Sequence, residues 1–506
     1  MIEHVFVLVL ENRSFDHLLG LSQPQATPIP PTANFSAGAP DRCPSDPVHE
    51  FDDVQHQIDG GAMGGFDDDL QRRGFVASQL PALNELASRY VLFDNWFSSV
   101  PGPTWPNRFF VHAASSGGLC TSPTGLRTAG AIILPDETFQ FDNGTLFDLL
   151  DTKFPGQTNW RVYHGDVTPQ VLALPGMVDK YYKGNDYFRL TYPTTARDGT
   201  INDDGFAADL NSSAGYAPKY TFIEPNYANQ ILNTTTFTPG DSMHPCGLAS
   251  AGDQLVRYVY ESLSSSPIWS SSVLLVLWDE HGGFYDHVRP PAATPPGDIE
   301  HNRAKGDVGA TFAFDRLGVR VPALLIGPNA PAQALGSNLF PDQVFDHASV
   351  ISTVRDIFQL GGPLTHRDRD APTWNGCLTA PARTTNLSLV SVPPAADPAS
   401  TSQPAGQPVV DGFTSGMGLI AMHMDKVAAR ITNQPPIGDF APKSVANFHK
   451  ARNASLRSGE FPQVLGKYMS DVQARAKAVK ASASKVRPRR VAEKSSGTKP
   501  LARPLG

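Results

Sequence analysis

The sequence of 506 residues has few cysteines and lacks long apolar runs. Its four cysteines are widely spaced and form no Cys-x-x-Cys pair, which disfavours a zinc ribbon and leaves disulfide pairing undecided. The longest apolar runs, such as residues 5–10 and 273–278, are far shorter than the roughly 20 residues that span a bilayer. The sequence therefore predicts a chain without a membrane span.

Three further signals are missing. No Gly-x-Ser-x-Gly motif occurs, which disfavours a serine hydrolase, and no His-Glu-x-x-His motif occurs, which disfavours a zinc protease. The chain does not open with the basic segment, apolar run and cleavage site of a signal peptide. We therefore expect a cytoplasmic or peripheral-membrane protein, and secretion stays open if the N-terminus is incomplete.

Charge is distributed unevenly along the chain. The formal net charge is −8, although the segment 471–506 is rich in Lys and Arg, so the remainder is acidic. An acidic body predicts no nucleic-acid partner. The basic segment 481–506 predicts a disordered tail that could contact anionic lipid, and a solubilising role is the favoured alternative.

The composition is that of a globular protein with many loops. Hydrophobic residues make up 40% of the chain, and the 45 prolines and 43 glycines predict long ordered loops. We expect an α/β fold with three segments: a catalytic domain at 1–377, a linker and mainly helical extension at 378–480, and the tail at 481–506.

Two short apolar runs predict strands that are buried on both faces, at His4–Leu10 and Val273–Trp278. Ligand sites in open α/β sheets lie outside the carboxyl ends of the strands. The residues that follow these two runs directly are Glu11, Asn12, Asp279 and Glu280. The sequence thus predicts an acidic site at this edge of the sheet.

Further polar side chains follow other predicted elements. His164 ends a strand that begins at Trp160, Glu224 ends a strand that begins at Tyr220, and His244 precedes a helix. Carboxylate and amide oxygens favour a hard cation such as Ca or Mg, whereas added imidazole shifts the preference toward Mn, Zn or Fe. We expect a divalent metal ion whose identity the sequence leaves open.

A stiff turn precedes Thr104. The stretch 98–108 holds three prolines and a glycine, and Pro106 suits the first turn of a helix. Thr104 is therefore predicted at a helix N-terminus, where free N–H groups favour an anionic ligand. A lone Thr in this position is more often a simple helix cap.

Six motifs together resemble the phosphoesterase family that contains bacterial and plant non-specific phospholipases C and a bacterial acid phosphatase. They are ENRSFDH at 11–17, PGPTWPNR at 101–108, MHP at 243–245, WDEHGGFYDHV at 278–288, RLGVRVP at 316–322 and DHASVISTVRDIF at 346–358. The resemblance runs to about Trp374. It implies an alkaline-phosphatase-like fold, with a mixed, mostly parallel sheet between helices and long loop insertions.

The resemblance also implies roles for individual residues. Thr104 would be a nucleophile that forms a phospho-threonine intermediate, with Asn107 and Arg108 binding phosphate oxygens. His244 would protonate the leaving group or hold the phosphate. His49 and His164 are weaker matches, whose alternatives are a surface histidine and a histidine hydrogen-bonded under the sheet. The implied metal ligands are Glu11, Asn12, Asp279 and Glu280.

Three functions follow as expectations. The first is a metal-dependent phospholipase C that releases diacylglycerol and a phospho-headgroup. The second is an acid phosphatase acting on soluble phosphomonoesters, and the third is a catalytically silent phosphate- or lipid-binding protein. An exposed apolar rim would favour lipid, and the residues considered for it are Trp96, Trp105, Phe284 and Tyr285.

Overall fold

The computed structural model describes residues 1–122, 139–389 and 412–437, together with some positions between 468 and 479. Within the first two ranges it leaves out residues 24, 166–168, 184–185, 196–200, 228–239, 246, 304–308, 310 and 384–385. The predicted tail 481–506 and most of the predicted extension beyond residue 437 lie outside the described residues.

An eight-stranded sheet forms the centre of the structure. Its strands are β1 (His4–Leu10), β2 (Val91–Phe93), β3 (Trp160–His164), β4 (Phe188–Leu190), β5 (Tyr220–Glu224), β6 (Ser272–Trp278), β7 (Ala323–Ile326) and β8 (Ala334–Leu335). Their order across the sheet is β8-β2-β7-β6-β1-β5-β3-β4. Only β7 runs against its neighbours, β6 and β2. The expected mixed, mostly parallel sheet is confirmed.

Helices flank this sheet. They are α1 (Phe51–Ile58), α2 (Pro81–Arg89), α3 (Thr104–Ala113), α4 (Leu146–Lys153), α5 (Met177–Lys183), α6 (Gly205–Leu210), α7 (Ala249–Ser264), α8 (Gly336–Leu339), α9 (Ala348–Phe358), α10 (His366–Asp370) and α11 (Gly412–Thr432). A π-helical turn at Asp16–Gly20 follows β1. No helix in the described part of the chain combines the length and apolar character needed to cross a bilayer.

The central strands β1 and β6 are buried along their whole length. Their pairing runs from His4 opposite Ser272 to Leu10 opposite Trp278. Because the two strands are parallel and end at the same level, the residues after them leave the sheet side by side. The backbone N–H of Asp279 still donates to the carbonyl of Leu10, at 3.2 Å.

Helix α1 lies in a polar, acidic segment in which no helix was predicted. Its buried residues Phe51, Val54 and Ile58 recur at helical spacing and form one apolar stripe. The N-terminus is closed by a capping box in which the N–H of Glu50 donates to Asp53 Oδ2 at 3.1 Å. Polar residues between these positions hid the helical period in the sequence.

Helix α11 of the C-terminal extension packs on the body of the protein. Ile420 and Met424 are buried in the main core, and the hydroxyl of Tyr182 in α5 donates to the carbonyl of Met424 at 3.0 Å. Farther along, Asp425 forms a buried ion pair with Arg475, at 2.9 Å. The predicted boundaries at 377/378 and 480/481 stay predictions.

Candidate active site

Thr104 is the first residue of α3, and Pro103, which precedes it, occupies the helix cap. The Thr104 side chain does not cap the helix. Instead, Thr104 Oγ1 donates to Asn12 Oδ1 at 3.1 Å, and the residue is 3% exposed. The hydroxyl is therefore held at the helix N-terminus and aimed at the residues that follow β1.

Asn12 turns the chain sharply after β1. Its φ of 55° lies in the left-handed region, which Asn tolerates better than most residues. Beside it, Gly282 has φ 63°, and a Cβ there would lie 2.2 Å from the carbonyl oxygen of Asn12, so only glycine fits. The side-chain nitrogen Nδ2 of Asn12 lies 3.3 Å from His49 Nε2. Asn12 thus links Thr104 to a predicted active-site histidine.

Asp279 and Arg108 form an ion pair at the bottom of the site. Arg108 Nε donates to Asp279 Oδ2 at 2.8 Å, and the two side chains are 1% and 0% exposed. The other carboxylate oxygen of Asp279 accepts from the backbone N–H groups of Asn12 and Glu280, at 3.1 and 2.8 Å. Burial raises the pKa of Asp279 to about 6, against the opposing charge of Arg108.

Arg108 has hydrogen-bonding capacity left over. Its Nη2 donates to the carbonyls of Val9 and Leu10, whereas its buried Nη1 has no acceptor within the described residues. Burial opposes its charge, but Tyr227, Asp279, Glu11 and Glu224 raise the pKa of Arg108. This guanidinium stays positively charged and has one N–H group available for an anionic ligand.

Glu280 and Glu11 complete the predicted acidic set. Both are 0% exposed, and the backbone N–H of Glu11 donates to the carbonyl of Ser242 at 2.7 Å. Glu280 Oε2 accepts from the N–H of Gly282 at 2.7 Å, and Oε1 lies 3.7 Å from His49 Nε2. Oε1 has no hydrogen-bond donor among the residues described. A buried carboxylate oxygen without a donor suits a cation ligand.

Asn107 is placed differently from the sequence expectation of a phosphate ligand. Its Oδ1 accepts from the N–H of Val100 at 2.9 Å, and its Nδ2 donates to the carbonyls of Val100, Gly102 and Pro103 at 3.0–3.1 Å. These contacts fix the turn that presents Thr104. The amide therefore acts on the preceding loop in this arrangement.

His49 and His244 lie on either side of Asp46. The ring centroids of the histidines are 6.4 Å apart, and His244 Nε2 lies 3.5 Å from Asp46 Oδ2. Burial lowers the pKa of His49, but the charges of Glu280 and Asp46 outweigh it and raise that pKa to about 10. Burial lowers the pKa of His244 to about 4 despite Asp46. Asp46 was missed in the sequence, although its Asp-x-x-His spacing to His49 is a usable signal.

His164 lies at the end of β3, three strands away from β6, or about 14 Å at usual strand spacing. It pairs in register with Glu224 on β5. Its ring packs near Tyr181 and Phe188, with centroid distances of 6.2 and 6.4 Å. The structure therefore brings His164 beside Glu224 rather than beside Thr104.

Two groups of at least three His, Cys, Asp or Glu residues in the described part of the chain bring their ligand atoms within 4.8 Å of one another. One is Asp46, His49 and His244. The other is Asp16, Asp286 and His287, where buried Arg320 donates to Asp16 Oδ1 at 3.0 Å and to Asp286 Oδ1 at 3.1 Å. The Arg320 guanidinium already neutralises the carboxylates of the second group. This group therefore has a structural role, and it connects the motifs at 11–17, 278–288 and 316–322.

Two residues that support the site had no role in the sequence expectation. His347 Nε2 donates to the carbonyl of Asp279 at 2.6 Å, and Gln57 Oε1 accepts from His281 Nε2 at 2.7 Å. Gln57 Nε2 also donates to the carbonyl of Val48 at 2.7 Å, which ties the loop of His49 to the end of β6. His347 lies in the motif at 346–358, whereas Gln57 lies outside every quoted motif.

The four aromatic residues considered for an apolar rim are all buried. Trp96, Trp105 and Phe284 are 0% exposed, and Tyr285 is 4% exposed. They contribute to packing around the site, so these residues do not form the exposed apolar rim that would have favoured lipid.

Comparisons with known proteins agree with the motifs. The pattern of the phosphoesterase family matches residues 2–361. Non-specific phospholipase C6 of Arabidopsis thaliana is 31% identical over 433 residues, covering 78% of this chain and 76% of that protein. Phospholipase C B of Mycobacterium tuberculosis is 27% identical, covering 73% and 76%. A protein in the alkaline phosphatase superfamily from Vibrio parahaemolyticus aligns with TM-score 0.33 and 14% identity over 74% of this chain and 71% of that chain.

Proposed function

The chain belongs to the phosphoesterase family and hydrolyses phosphoester bonds, and we propose that it acts as a metal-dependent phospholipase C. Its substrate would be a phospholipid, and its products diacylglycerol and a phospho-headgroup. The observation that carries the proposal is the hydrogen bond from Thr104 Oγ1 to Asn12 Oδ1, which holds a buried hydroxyl beside the Asp279–Arg108 ion pair.

Thr104 is proposed as the nucleophile. Its oxygen attacks phosphorus, the bond from phosphorus to the glycerol oxygen breaks, and diacylglycerol leaves with a proton. Water then cleaves the phospho-threonine intermediate, which releases the phospho-headgroup and restores the hydroxyl. Asn12 orients the hydroxyl, and the turn fixed by Asn107 keeps it at the N-terminus of α3.

The phosphoryl group needs positive partners because it carries negative charge throughout. Arg108 provides the N–H group at Nη1, and the N-terminus of α3 adds backbone N–H groups. His49 and His244 adjoin this position and are the imidazoles available for the phosphate or the leaving oxygen.

The predicted ligands supply suitable donor atoms for a divalent cation, but Glu11, Asp279 and Glu280 do not bring three ligand atoms within 4.8 Å of one another, and both carboxylate oxygens of Asp279 already accept hydrogen bonds. The donor set of three carboxylates and one amide is Glu11, Asn12, Asp279 and Glu280, and Glu280 Oε1 is buried with no hydrogen-bond donor in the described chain. A bound cation would polarise a phosphoryl oxygen and favour the deprotonated nucleophile.

Acid phosphatase activity on soluble phosphomonoesters is a second candidate. It is favoured by the burial of Trp96, Trp105, Phe284 and Tyr285, because these residues then offer no exposed apolar rim for a lipid. The same nucleophile and positive partners would serve a monoester.

The deciding experiment compares rates on phosphatidylcholine vesicles and on p-nitrophenyl phosphate, at acid and neutral pH, with and without a chelator. Faster diacylglycerol release that the chelator abolishes supports the phospholipase C. Faster monoester cleavage supports the acid phosphatase, and turnover of neither substrate would contradict both.

A further inference from the structure

Asp46, His49 and His244 form a second cluster of ligand atoms beside Thr104, with all separations within 4.8 Å. We propose that these three side chains bind a divalent cation of their own, distinct from one held by Glu11, Asn12, Asp279 and Glu280. The inference deepens the proposed function and rests on it only for the catalytic use of the site. It assigns His49 and His244 to a cation in place of direct contact with the phosphate or the leaving oxygen.

The geometry is close to that of a tetrahedral metal site. Bonds of about 2.0 Å in such a site separate its ligand atoms by roughly 3.3 Å. Asp46 Oδ2 and His244 Nε2 are 3.5 Å apart, so this pair already has nearly the required spacing. His49 supplies the third ligand atom, within 4.8 Å of the other two.

The orientation of His49 is fixed in the form that a metal ligand needs. Its Nδ1 lies 2.6 Å from the carbonyl oxygen of Pro47, which can only accept, so Nδ1 carries a proton. Nε2 is then the nitrogen that faces the cluster, and a bound cation would take the place of its proton and of its contact with Asn12 Nδ2. A metal-binding histidine usually donates its other ring N–H to an acceptor such as a backbone carbonyl, which fixes the orientation of the ring.

Two buried carboxylate oxygens at the cluster have no hydrogen-bond donor among the described residues. They are Asp46 Oδ1 and Glu280 Oε1, and Glu280 is 0% exposed. Glu280 Oε1 points toward His49, 3.7 Å from its Nε2. A cation between these groups would satisfy them, because a buried anionic oxygen without a partner is costly.

The ligand chemistry defines the class of cation. Two imidazoles and one carboxylate select Zn, Mn or Fe over Mg and Ca, which prefer oxygen ligands. Glu280 Oε1 lies 3.7 Å from His49 Nε2, so one of the other predicted ligands also borders this cluster.

The test measures metal binding without turnover. The full chain is stripped with a chelator and titrated with Co²⁺, with visible absorption and elemental analysis giving the number of bound ions. Asp46→Asn and His244→Gln remove ligands. The matched controls are Asp67→Asn and His56→Gln, which alter an exposed Asp–His pair with a separation of 2.8 Å. Thermal unfolding in chelator checks that each variant folds like the wild type.

We expect the wild type to bind two ions, Asp46→Asn and His244→Gln to bind one fewer, and both controls to match the wild type. Equal metal content in wild type, Asp46→Asn and His244→Gln would overturn the inference. Glu11→Gln distinguishes the two proposed cation sites. If Glu11→Gln loses an ion while Asp46→Asn and His244→Gln do not, the result supports the ligands of the proposed function and contradicts the second site.

Discussion

Replacing Arg108 by Met should destabilise the protein strongly, because it leaves the Asp279 carboxylate buried without its countercharge. The pair is 1% and 0% exposed, with Nε and Oδ2 at 2.8 Å. Removal of one partner from a buried pair costs about 3–5 kcal/mol of unfolding free energy. Two bonds to the carbonyls of Val9 and Leu10 are lost as well.

Urea unfolding followed by tryptophan fluorescence in the presence of chelator measures this loss. Arg89→Met is the matched control, because its pair with Glu85 is exposed, with side chains 50% and 40% accessible, and should contribute about 0–1 kcal/mol. The double variant Arg108→Met/Asp279→Asn removes both charges and should recover part of the loss. An Arg108→Met effect no larger than that of Arg89→Met would show that the buried pair contributes no more to stability than the exposed one.

Four further predictions follow from the site and its supports. Thr104→Ala should abolish turnover and lower the unfolding free energy by only about 1 kcal/mol, for one lost hydrogen bond to Asn12; retained turnover would remove Thr104 from the nucleophile role. Asn107→Ala should cost about 2–4 kcal/mol and reduce turnover, because four contacts of the preceding loop are lost; unchanged urea unfolding would contradict this. Burial raises the pKa of Asp253 to about 6 in the folded protein, above its unfolded value near 3.9. The folded state therefore binds the proton more tightly, and the unfolding free energy falls by roughly 2–3 kcal/mol as the pH rises from about 4 to about 6. Asp253→Asn should remove that slope from urea midpoints, and superimposable pH profiles of variant and wild type would count against it. Glu280→Ala should lower the metal-to-protein ratio found by elemental analysis, and an unchanged ratio would exclude Glu280 as a ligand.

The central part of the fold could be predicted because it depends on local patterns. The apolar runs of β1 and β6 are continuous in the sequence, and the acidic residues follow them directly. The motifs likewise identified the family. What brings Glu11 and Asp279 side by side is the parallel register of the two strands, with Leu10 opposite Trp278.

The remaining features depend on contacts between distant segments. Asp46 joins His244 across about 200 residues of sequence, and no local pattern reports such a contact. Asn107 could not be placed from the sequence either. Its position close to Thr104 suggested a phosphate ligand, but its four hydrogen bonds go to the loop that precedes Thr104. The burial of Trp105 and Phe284 follows from packing around the site, which composition cannot reveal.

Mass spectrometry of the acid-quenched enzyme tests the central claim most directly. The full chain is mixed with phosphatidylcholine vesicles, quenched within the first turnover and digested, and the peptide that contains Thr104 is examined. We expect a phosphocholine adduct on Thr104 that appears together with diacylglycerol and is absent from Thr104→Ala. Stoichiometric diacylglycerol release with Thr104 unmodified, or an adduct on another residue, would contradict it.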